Sequence, residues 1–106
     1  MQRFSIHSNK VEGTIPDTIS KLKNLFFLDL FGNEMTGNLP EEIFENEKLA
    51  IVRLSDNSFQ GSIPSSIGMM PALRSFWAAN NELTGIIPSE IGKATALSKC
   101  NVATSI

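Results

Sequence analysis

The fold is decided by the stretch from Leu25 to Leu49, which reads LFFLDLFGNEMTGNLPEEIFENEKL. Leu28 and Leu30 alternate with other side chains, which is the two-residue period of a strand with one face inward. Asn33 then ends the strand. Asparagine suits such a corner because it tolerates left-handed backbone and its amide both donates and accepts hydrogen bonds. The first half of this stretch therefore predicts a strand and a turn.

The second half of the stretch predicts a short helix. Met35 is another apolar, inward position, and Gly37 permits a backbone conformation that a side chain would penalise. Pro40 holds Leu39 extended and presets its own backbone angle for a first helical turn. Ile43 then fits the inner face of a short, tight helix.

The same landmarks return every 24 residues, and this period predicts a solenoid whose repeats must stack to bury their apolar faces. We expect a single domain of four repeats, at about 2–25, 26–49, 50–73 and 74–97, and an incomplete fifth from 98. The recurring residues are Asn9, Asn33, Asn57 and Asn81; Gly13, Gly37, Gly61 and Gly85; and Pro16, Pro40, Pro64 and Pro88.

Equivalent apolar positions predict one continuous core beneath a parallel sheet. The expected inward strand pairs are Phe4 with Ile6, Leu28 with Leu30, Val52 with Leu54, Phe76 with Ala78, and Cys100 with Val102. Further buried columns are expected at Val11, Met35, Phe59 and Leu83; at Ile15, Leu39, Ile63 and Ile87; and in the helices at Ile19, Leu22, Leu25, Ile43, Leu49, Ile67, Met70, Leu73, Ile91, Ala94 and Leu97.

Composition narrows the range of partners. The 106 residues are 42% hydrophobic and 19% charged with a formal net charge of -2, so the chain has neither a disorder signature nor the basic excess of a nucleic-acid-binding protein.

The sequence gives little information on location. We expect no membrane span in this chain, because no run approaches the roughly 20 apolar residues needed. The opening MQRFSIHSNK lacks the apolar run of a secretion signal. Cys100 is the only cysteine, which leaves oxidising and reducing compartments open.

With these positions in place, the chain resembles the plant-type leucine-rich repeat family, whose pattern is LxxLxLxxNxLxGxIPxxIxxLxxL. The segment Gly61 to Leu73, GSIPSSIGMMPAL, nearly repeats the subclass signature. The resemblance implies an α/β fold: a right-handed solenoid with a parallel sheet on its concave face, a second short strand near the Gly-x-Ile-Pro segment, and 3-10 or α helical turns on the convex side.

The resemblance also implies binding as the function, as in receptor ectodomains, receptor-like proteins and inhibitors of cell-wall-degrading enzymes, at an extracellular or cell-surface location. Such ectodomains usually carry a signal peptide and cysteine-paired caps. Their absence from this sequence, together with the apolar surface that uncapped ends expose, leads us to expect a segment of a longer protein. Asn46 stands where the pattern has leucine, and Ala78, Ala94 and Cys100 also depart from it.

Outward strand positions form columns across the predicted sheet, and they give the candidate ligand-binding residues. The central column reads Ser5, Asp29, Arg53, Trp77 and Asn101; the column before it reads Arg3, Phe27, Ile51, Ser75 and Lys99; and the column after it reads His7, Phe31, Ser55, Ala79 and Ala103. We predict that a ligand contacts Phe27, Asp29, Phe31, Arg53 and Trp77, because exposed aromatic side chains anchor protein interfaces.

This surface also has plainer interpretations. Phe27 and Phe31 would shield each other if they folded over the sheet. Asp29 and Arg53 would form an exposed ion pair contributing about 0–1 kcal/mol, and Arg53 would stack on Trp77, simply keeping the face soluble.

Catalysis and metal binding are not expected. His7 shares the predicted face with Ser5, Ser55 and Asp29, but Asp29 would lie about 8 Å from it, too far for a direct hydrogen bond. The acidic residues Glu41, Glu42, Glu45 and Glu47 have no histidine or cysteine nearby in sequence, so we predict no metal site and no cofactor. Asp17, Glu41 and Glu90 instead suit the positive N-terminal ends of the short helices.

The preferred hypothesis is a non-catalytic recognition module that offers its concave sheet to a protein, a peptide or a glycan. Two alternatives stay open: a structural spacer or remnant of a larger repeat protein, and an inhibitor of a secreted hydrolase.

Overall fold

The computed structural model describes residues 2–6, 8–84 and 99–101. Within them, strands alternate with short 3-10 helices. The strands are β1 (Gln2–Ser5), β2 (Glu12–Gly13), β3 (Leu25–Asp29), β4 (Glu34–Asn38), β5 (Ile51–Arg53), β6 (Ser58–Gly61), β7 (Ser75–Trp77), β8 (Glu82–Leu83) and β9 (Lys99–Asn101). The 3-10 helices span Asp17–Lys21, Glu41–Glu45 and Ser65–Met69.

The strands form two parallel sheets, as a solenoid requires. The concave sheet has the order β1-β3-β5-β7-β9, and the second sheet has the order β2-β4-β6-β8. In the concave sheet Leu28 pairs with Val52, and Val52 pairs with Phe76, so successive strands lie in the register that the sequence period predicts. The predicted right-handed solenoid is confirmed, including its second strand and its 3-10 helices.

The core lies between the two sheets and the helices, where the apolar columns of the sequence meet. Leu28, Val52 and Phe76 have no exposed surface, and Phe59 is equally buried. The first repeat departs from this pattern: Phe4 is 41% exposed, and four further members of its columns are only partly buried, namely Ile6, Val11, Ile19 and Leu22.

Several predictions fall on residues outside the described ranges. They concern His7, Gly85, Ile87, Pro88, Glu90, Ile91, Ala94, Leu97, Val102 and Ala103. Cys100 belongs to β9, where its backbone pairs with Phe76.

A column of buried asparagines joins neighbouring repeats. The Asn57 Nδ2 group donates to the carbonyl oxygens of Leu30 and Leu54, at 2.8 and 3.2 Å, and its Oδ1 accepts from the backbone N–H of Met35 at 3.1 Å. Asn33 and Asn81 repeat the same pattern one repeat earlier and one later. The prediction that stacked amides satisfy the backbone at these corners is confirmed.

The corners differ from the sequence prediction in one detail. The left-handed residue precedes each asparagine: φ is positive at Ser8, Gly32, Asp56 and Asn80. The chain turns there, which leaves the asparagine amide free to point into the core.

The start of the second helix also differs from the sequence prediction. Pro40 is the residue before this helix, with an extended ψ of 134°, so it caps the helix and is not part of its first turn.

Phe44 is a core residue that the repeat pattern does not predict. It is 2% exposed, and its ring meets that of Phe76 edge to face, with centroids 5.9 Å apart. The equivalent residues of the neighbouring repeats are the small Ser20 and Gly68, which leave room for the ring. In the same repeat, Asn46 is half-buried, and its amide donates to the carbonyl of Leu22 at 3.2 Å.

Candidate ligand-binding face

Three neighbouring strands place an acid, a base and an aromatic ring side by side on the concave sheet. Asp29 of β3 pairs with Arg53 of β5, which pairs with Trp77 of β7. Because side chains alternate along a strand, all three point away from the core that holds Val52. The predicted central column is therefore present, and its outer members Ser5 and Asn101 pair in the same row.

The Arg53 guanidinium is held over aromatic rings. Its central carbon lies 4.7 Å from the centre of the Trp77 ring and 5.3 Å from that of Phe27. Arg3 lies over the Phe27 ring as well, at 4.5 Å. These contacts make an alternating stack of cations and rings across four strands. The predicted stacking of Arg53 on Trp77 is confirmed, and its extension to Phe27 and Arg3 is an addition to it.

Asp29 is nearly enclosed, with 5% of its surface exposed. Its Oδ1 accepts a hydrogen bond from the backbone N–H of Phe31 at 3.1 Å. Its Oδ2 lies 3.9 Å from Nη1 of Arg53, which is ionic contact beyond hydrogen-bond length. The side chain of Arg53 is 36% exposed, so this pair contributes at most about 1 kcal/mol. The Arg53 Nε is buried and has no hydrogen-bond partner among the described residues.

Phe27 is not the exposed anchor that the sequence predicts. It is 7% exposed, because guanidinium groups lie over its ring and Phe26 meets it edge to face at 6.4 Å. The alternative in which Phe27 is shielded holds in part, although the shielding groups are arginines and Phe26. Phe31 and Trp77 are half-buried and keep surface available to a ligand.

Four of the five predicted site residues line one cavity on the concave face. Its volume is about 180 Å³, and its walls are Asp29, Phe31, Arg53 and Trp77. Phe31 and Trp77 supply aromatic walls, Arg53 supplies a cation with in-plane hydrogen-bond donors, and Asp29 supplies a carboxylate acceptor. Groups of these kinds bind protein or peptide ligands. Within residues 2–6, 8–84 and 99–101, no three histidine, cysteine or acidic groups are placed to hold a metal ion.

Two side chains that shape this face are absent from the predicted site. Arg3 covers Phe27, and the buried Ser55 Oγ accepts from the backbone N–H of Ala79 at 3.1 Å. The 24-residue period places Arg3 directly beside Phe27, so its role is visible in the sequence once a cation and a ring in adjacent strands are considered as a pair.

A comparison with protein families agrees with this architecture. The model described as Leucine Rich Repeat matches three successive segments, residues 24–46, 48–70 and 72–94. The chain belongs to the leucine-rich repeat family. A search of curated proteins found no match.

Solved structures of plant receptors share the fold of this leucine-rich repeat chain. The structure of PEPR1 with AtPEP1 is 36% identical with a TM-score of 0.91, over 94% of this chain and 14% of that one. The TDR receptor is 34% identical with a TM-score of 0.91, over 97% and 18%. HAESA of Arabidopsis, in complex with the peptide hormone IDA and the co-receptor SERK1, is 32% identical with a TM-score of 0.84, over 88% and 16%. The chain thus spans less than a fifth of each of these relatives.

Among the described residues, no helix has the length and apolar character needed to cross a bilayer.

Proposed function

We propose that this chain is a non-catalytic recognition module, part of a receptor-like ectodomain, and that it binds a peptide or protein segment at the concave cavity. The observation that carries the proposal is the convergence of Asp29, Phe31, Arg53 and Trp77 on one cavity of about 180 Å³. Asp29, Arg53 and Trp77 come from adjacent strands, and Phe31 follows Asp29 by two residues, so the sheet holds the site in place before any ligand arrives.

The size of the cavity favours a side chain of a larger ligand over a free small molecule. Small-molecule pockets usually measure about 300–1,000 Å³, and this one is smaller, at about 180 Å³. A side chain seated against Trp77 and Phe31 gains apolar contact, while Arg53 and Asp29 offer hydrogen bonds to polar groups of the same ligand. An extended peptide lying across the strands supplies both kinds of group.

Relatives support the same class of partner. The structures of PEPR1, HAESA and RGFR1 are complexes with AtPEP1, with the peptide hormone IDA and co-receptor SERK1, and with RGF2 respectively. They give no support to a glycan ligand. The same likeness supports an extracellular location, because one of the similar structures is the ectodomain of the receptor kinase SOBIR1 of Arabidopsis. Two other functions compete with this proposal: inhibition of a secreted hydrolase, and a structural spacer that binds no ligand.

The proposal is tested by selection from a phage-displayed library of random dodecapeptides on the purified chain. Selected peptides are then measured against three proteins: the parent chain, a Phe31→Ala/Trp77→Ala double variant, and Met69→Ala as a control on the convex side, where Met69 is 81% exposed. We expect the double variant to lose at least about ten-fold in affinity, the cost of truncating interface anchors. The control keeps its affinity.

Circular dichroism establishes that the double variant remains folded. Equal binding by the double variant and the parent would remove the cavity as the site. Failure of the parent chain to enrich any peptide over the phage background would favour the spacer.

A further inference from the structure

The cavity on the concave face carries one charge of each sign, and the two charges do not form a close pair. Among the described residues that line it, Asp29 and Arg53 are ionisable, and Phe31 and Trp77 are not. Oδ2 of Asp29 lies 3.9 Å from Nη1 of Arg53, which is beyond hydrogen-bond length. The walls therefore have no net charge, although they contain a carboxylate and a guanidinium that are not hydrogen-bonded to each other.

Both charged groups have capacity left for hydrogen bonds. Oδ1 of Asp29 accepts from the backbone N–H of Phe31, whereas the contact of Oδ2 within the described part of the chain is the distant one with Arg53. A guanidinium has five N–H donors and no acceptor. Arg53 uses its contacts with Trp77 and Phe27 as a cation over rings, and its buried Nε has no hydrogen-bond partner among the described residues. A ligand that supplies the missing partners therefore gains hydrogen bonds to charged groups.

A charged ligand group would gain from one wall of this cavity and lose at the other. A carboxylate would bind Arg53 but would face the carboxylate of Asp29, which is 5% exposed and hence weakly solvated. An ammonium group would bind Asp29 but would face the guanidinium. An aliphatic side chain would pack on Phe31 and Trp77, yet it would cover both charged groups without bonding to either. The walls thus favour a neutral group that both donates and accepts.

A side-chain carboxamide has these properties in one planar group. Its NH₂ donates and its carbonyl oxygen accepts, and these are two different atoms. A serine or threonine hydroxyl donates and accepts through a single oxygen, so it spans the 3.9 Å between Oδ2 and Nη1 with a sharper angle between its two bonds. The plane of a carboxamide also fits against an aromatic wall such as Trp77, which is half-buried.

We propose that the concave cavity is a subsite for a carboxamide side chain, a glutamine or an asparagine of an extended peptide. The amide NH₂ donates to Oδ2 of Asp29, the amide oxygen accepts from the Arg53 guanidinium, and the amide plane lies against Trp77. This assignment rests on the proposed function, since it names the side chain that the bound peptide inserts. Specificity then depends on the balance of the two charges, so removal of either charge should change the preferred side chain.

The test uses the dodecapeptides that phage display selects on the parent chain. In each peptide, the anchor position is the residue whose change to alanine abolishes the affinity difference between the parent and the Phe31→Ala/Trp77→Ala double variant. The peptide is then synthesised with glutamine, glutamate, lysine or leucine at the anchor position, and calorimetry measures the four affinities. We expect the parent to bind the glutamine form at least about ten-fold more tightly than the other three, because each of them leaves a charged wall unpaired or beside a like charge.

Two variants assign the preference to the two charges. Asp29→Asn removes the negative charge and keeps an acceptor for the Phe31 N–H, so it should bind the glutamate form at least about ten-fold more tightly than the parent does. Arg53→Met removes the positive charge and keeps an unbranched chain, so it should gain similarly for the lysine form. Met69→Ala, on the convex side, should leave the order of the four peptides unchanged. Circular dichroism establishes that each variant is folded.

The outcomes separate this inference from the proposed function. A parent chain that binds the glutamate, lysine or leucine form as tightly as the glutamine form would overturn the carboxamide subsite. An order of preference that neither charge variant alters would do the same. In both cases, weaker binding by the Phe31→Ala/Trp77→Ala double variant would still support peptide binding at the cavity. Full binding by that double variant, or a failure to enrich any peptide, would overturn both.

Discussion

The guanidinium of Arg53 lies over the indole of Trp77, 4.7 Å from the centre of the ring. Trp77 is the only tryptophan of the chain, so its fluorescence reports directly on this contact. The same guanidinium covers Phe27 and lies 3.9 Å from the Asp29 carboxylate. Arg53 is therefore the residue around which the concave face is organised.

Arg53→Ala should lower the free energy of unfolding by about 1–3 kcal/mol, the sum of two cation–π contacts and one weak ion pair. Urea denaturation measures this loss. Trp77 emission should shift to the red, because the indole loses its cover. Lys21→Ala, an exposed cation on the first helix, is the control and should change neither quantity. An unaltered emission spectrum in Arg53→Ala would contradict the stacked arrangement.

Asn57→Ala should cost about 2–4 kcal/mol, mainly because the buried N–H of Met35 loses its acceptor. The carbonyls of Leu30 and Leu54 suffer less, since each also accepts from another amide of the column. Asn9→Ala provides the matched control at an exposed position and should cost much less. The comparison is made by chemical denaturation of both variants. Similar losses would mean that the column contributes little to stability.

The sequence predicts the repeat, the inward columns and the central outward row, because a strict 24-residue period fixes which residues become neighbours. It does not predict the burial of Phe27, which depends on how two long arginine side chains lie once the strands are paired. It also misplaces the left-handed residue at each corner by one position, since Ser8 and Asp56 turn the chain before the asparagine. The backbone at each corner depends on the position of the carbonyl and N–H groups that bind the asparagine amide, and these groups lie in another repeat.

Phe44→Ala should lower the free energy of unfolding by about 3–5 kcal/mol, because it removes a buried ring and leaves a cavity beside Phe76. Met69→Ala, at a position that is 81% exposed, should cost less than about 0.5 kcal/mol. Thermal and urea unfolding of the two variants provide the measurement. A small loss in Phe44→Ala would show that the ring is not part of the core.

Gly61→Ala and Gly13→Ala should each cost about 1–3 kcal/mol, because both glycines have a positive φ, of 86° and 99°. An added Cβ at position 61 would lie 2.8 Å from the Asn38 Oδ1, whereas nothing lies within 4 Å at position 13. Asn38 is exposed and can rotate away, so backbone strain should dominate and the two losses should be similar. A much larger loss in Gly61→Ala that Asn38→Ala relieves would show that the contact dominates.

The asparagine column has a direction, and this direction matters while the protein is being made. At each corner the later repeat brings the side-chain amide, and the earlier repeat contributes the carbonyl and N–H that receive it. A ribosome releases the earlier repeat first, and chains commonly fold from the N-terminal side during translation. The carbonyl and N–H partners of each asparagine are therefore synthesised before the asparagine itself, and we expect the coil to lengthen in the order of its synthesis.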